Sequence, residues 1–275
     1  MKKHSSLPSS LLAASLCAAA IPAFAEDSAA LEEASGAPDL SLGIDWCSRQ
    51  ISRGLPDNTD PVATLSAALG WEGFSVEVDG IFNTTDIAED DGFDAWDNTE
   101  IDTIVGYERS IDTDALGGVT LGADYTYEYD QGGDGESDHV SYVHASAGLD
   151  DVPLSPTLEC EWMLDGVHGQ YYALSLSHEF ELADTLSLAL KLTEGLANDK
   201  YNDDDLGCDS WGLRETTLLA ELAWSPTDVL SVTPYIAYSD HANGHFRHAA
   251  HYYADGETRH NVAQLYGGVS VSLEF

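Results

Sequence analysis

From Leu40 to the end of the chain, apolar side chains recur at every second position. Leu40, Leu42, Ile44 and Trp46 alternate with polar or small residues, and so do Ala63, Leu65, Ala67, Leu69 and Trp71. The cleanest stripe is Leu186, Leu188, Leu190 and Leu192. A period of two marks a strand with one apolar face, whereas a helix would repeat near 3.6. Twelve such segments, each about ten residues long, can be laid out along the chain. In residues 140–149 the face is ambiguous, because Val143, Ala145, Ala147 and Leu149 compete with Val140 and Tyr142. In the eleventh segment Pro234 interrupts the stripe, and since proline cannot donate to a ladder a bulge or a shifted strand end is expected there.

The connections alternate as well. Those at 72–73, 110–118, 150–156, 181–185 and 225–228 are mostly short. Those at 54–61, 83–98, 130–138, 165–169, 195–212 and 239–260 are mostly longer and rich in Asp, Gly and Asn. Ten-residue strands in even number, with short turns at one end and long loops at the other, are the layout of an outer-membrane barrel. The aromatics sharpen this. Trp71, Phe74, Tyr107, Phe180, Trp224 and Phe275 share the apolar parity at the short-turn end. Trp46, Phe82, Tyr127, Tyr129, Trp162, Tyr172 and Tyr238 share it at the long-loop end. Two aromatic girdles around an apolar belt suit a wall that crosses both lipid–water interfaces.

Hydrocarbon offers the backbone no hydrogen-bond partner, so only helices and closed barrels span it. No internal run of 18 apolar residues exists, which leaves the barrel. The expected fold is therefore all-β, a transmembrane up-and-down antiparallel barrel over residues 40–275. Its opposite face points into the lumen. That face carries Asp45, Glu77, Asp79, Asp102, Asp124, Glu128, Glu159, Glu161 and Glu215, with Lys191 as the main base. Carboxylates on low-dielectric walls favour cations, so a water-filled lumen of this kind is expected to prefer them. A barrel of eight strands is filled by side chains and one of sixteen leaves a channel; twelve is intermediate, and a folded loop or residues 26–39 could block it.

Charge and the N-terminal residues extend the picture. The 275-residue chain has 49 acidic and 10 basic residues, for a net charge of −39, which argues against nucleic acid as a partner. Lys2 and Lys3, the apolar run 11–24 and Ala23-Phe24-Ala25 resemble a signal peptide over residues 1–25. Cleavage after Ala25 would leave 8 basic against 49 acidic residues, a net charge of −41, and a polar periplasmic leader at 26–39. The expected location is the outer membrane of a Gram-negative-type bacterium. Cys47, Cys160 and Cys208 would remain, an odd number for which spacing selects no pairing.

The last ten residues, Tyr266 to Phe275, resemble the C-terminal signal of bacterial outer-membrane proteins, in which a terminal aromatic follows apolar residues at alternate positions. Val269, Val271, Leu273 and Phe275 match, and the resemblance implies recognition by the barrel-assembly machinery. Ser52-Arg53-Gly54 followed by Asp60-Pro61-Val62 is similar to the Arg-Gly…Pro pattern that opens TorF-type porins. That family consists of exported barrels of roughly this size, and no substrate is implied.

Three motifs suggest chemistry. His144 and Ser146, two apart, lie on one strand face and resemble the His-x-Ser of outer-membrane phospholipases and lipid A deacylases. In those families Asn usually follows the Ser, and here it is Ala147. His241, His245, His248 and His251, with His260, crowd one loop and could take zinc, copper or nickel, or simply titrate in water near neutral pH. Acid-dense stretches at 86–97, 130–138 and 199–209 suit Ca²⁺ or Mg²⁺, or a divalent bridge to lipopolysaccharide, or only hydration. No resident cofactor is expected. The leading reading is an outer-membrane channel for passive diffusion of small hydrophilic solutes. A lipid hydrolase or deacylase using His144 and Ser146, and a structural or metal-binding surface barrel, are the alternatives. The pattern favours neither one copy nor three.

Overall fold

The fold is described from a computed structural model, which describes residues 38–85, 95–113, 117–131, 137–166, 168–241, 244, 246 and 263–275. Residues 1–37, which include the stretch read as a signal peptide and nearly all of the expected leader, and His245, His248, His251 and His260 lie outside the described residues.

The elements in chain order are β1 (Asp39–Cys47), β2 (Gln50–Ser52), β3 (Leu55–Asn58), β4 (Val62–Trp71), β5 (Phe74–Asn83), β6 (Asn98–Thr113) and β7 (Gly117–Gln131). They continue with β8 (Ser137–Leu149), β9 (Thr157–Met163), β10 (Gln170–Ala183), β11 (Leu186–Ala197), α1 (Asp199–Leu206), β12 (Gly212–Trp224), β13 (Leu230–His241) and β14 (Gln264–Glu274). Among the described residues, twelve of these strands form a closed antiparallel barrel in which each pairs with the next, and β1 pairs with both β4 and β14. The seam is sealed at the chain end, where Phe275 N–H donates to the Leu40 carbonyl at 2.9 Å. Closure leaves no edge among the twelve described barrel strands without a partner, which is the condition for crossing hydrocarbon.

The apolar parity faces outward. Leu65, Leu69, Leu121, Leu174 and Leu218 are exposed, as are the girdle residues Trp46, Trp71, Phe74, Tyr127, Trp224 and Tyr238. An exposed apolar belt of this extent is costly in water and favourable in lipid. In β8 the ambiguity resolves by pairing. His144 lies opposite Glu161 and Asp124, so Tyr142, His144 and Ser146 face inward and Val143, Ala145 and Ala147 outward.

One expectation for the wall needs correction. Pro234 produces neither a bulge nor a strand end. It pairs in unbroken register with Val269, while the β12 side passes from Glu221–Tyr235 to Trp224–Val232 without a shift. The missing donor is thus absorbed by a local gap in one ladder. Register shifts occur instead between β5 and β6, between β10 and β11, and between β11 and β12, where Leu196 pairs with Leu213 and Glu194 with Thr216. Two residues, Arg214 and Glu215, oppose the single Gly195. This bulge turns both of them inward.

A close approach explains one glycine. A Cβ on Gly268 would fall 2.2 Å from the Trp46 carbonyl and 2.7 Å from the Tyr235 hydroxyl. Its absence lets Tyr235 lie across β14 and donate to Asp45 Oδ1 at 3.2 Å. Gly268→Ala is expected to cost about 1–3 kcal/mol, read as a lower unfolding midpoint of the folded barrel in detergent.

Candidate functional site: the lumen constriction

Residues 48–61, between β1 and β4, turn into the lumen as the β2–β3 hairpin. Its tip is Arg53-Gly54, with φ of 46° and 84°, and Ser52 pairs with Leu55 across it. Positive φ at both central residues is the tight hairpin turn whose twist matches the strands. Gly54 is needed twice over, since a Cβ there would also lie 2.8 Å from Glu215 Cβ.

One flank of the hairpin builds an apolar core inside the barrel. Ile51 is fully buried among Cys47, Val62, Ile81, Leu219, Tyr235, Ala237 and Tyr266. These are lumen-facing apolar residues of β1, β4, β5 and β12–β14, so this side of the interior is filled rather than wet. A second small cluster, Tyr142, Met163, Ala197 and Tyr201, joins β8, β9, β11 and α1, and Leu206, Cys208 and Phe246 pack near Leu55. The 195–212 connection thus contains a helix, α1. Asn198 caps it by accepting from Tyr201 N–H at 2.9 Å, and Gly207 ends it in the left-handed conformation, φ 59°. Burial pushes the Cys208 thiol up, and Asp203 and Asp209 add to the effect.

The hairpin tip carries the site's charge. The Arg53 guanidinium pairs with the Glu161 carboxylate and sits 5.5 Å above the Tyr142 ring and 5.6 Å from those of Tyr171 and Tyr201. Three aromatic faces around one cation are a favourable electrostatic cage. Glu161 also accepts from Tyr201 Oη at 2.9 Å and faces His144 Nε2 at 2.9 Å. His144 Nδ1 lies 2.6 Å from Asp124 Oδ1. Arg214, 0% exposed, donates from Nε to the Arg53 carbonyl at 3.1 Å and lies 5.3 Å from the Tyr201 ring. Tyr171 donates to Glu215. The hairpin is therefore bolted to β9, β10, α1 and β12.

The structure places the candidate lining residues as follows. Asp45, Glu77, Asp79, Asp102, Glu159, Glu161 and Glu215 are buried inside, and Asp124, Glu128 and Lys191 are half-buried on the inward parity. Asp79, Asp102 and Glu128 stand side by side across β5, β6 and β7. Glu161 faces both Arg53 and His144, Asp124 shares His144, and Glu215 lies 3.8 Å from Arg214 Nε. His241 faces inward, with Nδ1 3.0 Å from the Arg214 carbonyl, so this histidine supports the bulge. Both His144 nitrogens are turned to carboxylates, which leaves neither for Ser146 as a nucleophile's base.

Arg53, Arg214, Tyr142, Tyr171 and Tyr201 were absent from the lumen as read by parity alone. A signal for the inner core was present: Val62, Ile81, Leu219 and Ala237 are apolar at the inward parity.

A closed barrel with an apolar outer belt and an acidic, hairpin-narrowed interior defines an outer-membrane β-barrel of porin architecture. No family model and no curated relative matches the sequence. Among solved structures, the chain is similar to the KdgM porin in complex with disordered oligogalacturonate, at 8% identity and TM-score 0.46, over 86% of this chain and 99% of that one. It is similar to the NanC porin at 14% identity and TM-score 0.48, over 86% and 99%. An outer membrane channel from Pseudomonas putida F1 aligns at 10% identity and TM-score 0.44, over 86% and 94%. At these identities the likeness is one of fold alone.

Proposed function

We propose that the protein is a porin-like channel for passive diffusion of small hydrophilic solutes across an outer membrane, with a preference for cations. The observation that carries this is the sidedness of the lumen. The apolar core of the hairpin fills the β12–β14, β1 and β4 side and reaches Ile81 of β5, its tip docks on Tyr142 and Glu161, and the inner face of β5–β9 presents Glu77, Asp79, Asp102, Asp124, Glu128 and Glu159. A solute passing along that wall meets a concentrated negative field, strengthened by low-dielectric surroundings. Size would be set by the space left between the hairpin, whose tip is docked on β8 and β9, and the acidic face of β5–β7.

Planar-bilayer recording in a salt gradient tests this. Discrete conductance steps with a cation-selective reversal potential are expected; silence, or anion selectivity, overturns the reading. Neutralising Glu77 and Glu159 together (Glu77→Gln, Glu159→Gln) is expected to move the reversal potential toward zero. Glu161 suits this experiment less well, because its removal also releases the Arg53 guanidinium.

Insertion would use lipid, lipopolysaccharide and the barrel-assembly machinery as partners. Phe275, exposed at the chain end beside the sealed seam, is the residue for the last of these. Phe275→Ala is expected to lower the amount of folded barrel in the membrane severalfold, measured by heat-shifted gel migration, with little change in the stability of barrels that do assemble.

The filled half of the lumen favours one further reading, a structural barrel whose loops hold metal ions or a partner. Absence of conductance from both the parent and a variant with a loosened hairpin would select it.

A further inference from the structure

We propose that the acidic wall holds a divalent cation, Ca²⁺ in type, between Glu100 and Asp102 of β6 and Glu128 of β7. One oxygen from each carboxylate lies within 4.8 Å of the others. Ions with oxygen bonds of about 2.3–2.6 Å can span such a set. Asp102 and Glu128 are directly opposed across the ladder, and Glu100 precedes Asp102 by two residues on the same inward face.

The second observation is what sets this group apart from an ordinary acidic surface. Asp102 is 3% exposed, and among the described residues its Oδ1 has no hydrogen-bond donor. Asp79, opposite it on β5, is 4% exposed with its Oδ1 in the same condition. A buried carboxylate oxygen without a donor costs free energy, and like charges directly opposed across strands add to the cost. A hard dication offsets both at once. Glu100 and Glu128 are only half-buried, so lumen water reaches the position and can complete the six to eight oxygens that Ca²⁺ takes.

The site also adjoins the constriction. Gln50 of the hairpin donates from Nε2 to Glu100 Oε2 at 3.3 Å. An ion there would reduce the wall's negative field where the hairpin narrows the lumen. This consequence rests on the channel reading, but binding itself does not, so the two can fail separately.

Calorimetric titration of Ca²⁺ into the full folded barrel in detergent is the test, with Asp102→Asn and Glu128→Gln as variants and gel migration without boiling as the check of folding. Acidic loops that bind Ca²⁺ would survive in every variant, so the readout is the loss of one site. The expected result is one fewer bound Ca²⁺ in each variant, or a weakening of that site by about tenfold or more as its ligand charge falls. Unchanged stoichiometry and affinity in folded variants overturns the proposal, as does a parent protein that binds no Ca²⁺. If Asp102→Asn does not fold, the half-buried Glu128→Gln decides by the same criterion. Bilayer recording then adds Ca²⁺ to K⁺: reduced conductance in the parent but not in Glu128→Gln links the site to permeation.

Discussion

Arg53→Ala is expected to destabilise the barrel by about 3 kcal/mol or more, because truncating one member of a buried ion pair leaves the other charge uncompensated. The Glu161 carboxylate would lose its guanidinium and keep only His144 and Tyr201. The same change frees the hairpin tip from its three tyrosines and removes a positive charge from the lumen. Conductance should therefore rise, and cation preference with it. Unfolding of the detergent-solubilised barrel reads the first effect and bilayer recording the second. The double variant Arg53→Ala, Glu161→Gln should recover part of the lost stability, since the stranded charge is gone. Equal stability and equal conductance in Arg53→Ala would mean that the hairpin is held by Ile51 and its core instead.

The second large effect concerns the outer face. Leu218 is 52% exposed near the middle of β12, flanked in register by Leu192 and Tyr238. Leu218→Arg is expected to cost about 2–4 kcal/mol, because mid-bilayer hydrocarbon cannot solvate the guanidinium. Leu213→Arg, at the long-loop end of the same strand and 51% exposed, should cost at most about 1 kcal/mol. Equal exposure with unequal cost is a signature of depth in lipid. Reversible unfolding in lipid vesicles measures the difference. Two equally tolerated substitutions would place the belt in water and remove the membrane-spanning assignment.

Legibility differed from element to element. The stripe Leu186 to Leu192 reads unambiguously because lipid rewards a single property at every second position. The face of β8 was open because both parities were apolar; His144 was turned inward by pairing with Glu161 of β9, a contact between strands. Helix α1 left only its caps, Asn198 and Gly207, since a run of polar residues shows no apolar period. Arg214 was hidden by a bulge, which reverses parity without any marker in the residues beside it. Arg53 was visible as part of an Arg-Gly pair, but its meeting with Glu161 joins positions 108 residues apart.

Alternation alone determined that twelve strands close into a barrel with apolar side chains outward and carboxylates inward. That information is local: each residue's face follows from its neighbours two positions away. What the tertiary structure decided is how the interior is occupied. The inward hairpin, the core around Ile51 and the Arg53–Glu161 pair depend on a segment that folds back across the lumen, and the His144–Glu161 contact and the bare oxygens of Asp79 and Asp102 on side chains brought together by neighbouring strands. No period along one strand encodes that convergence, because distances across a lumen are set only once the barrel has closed.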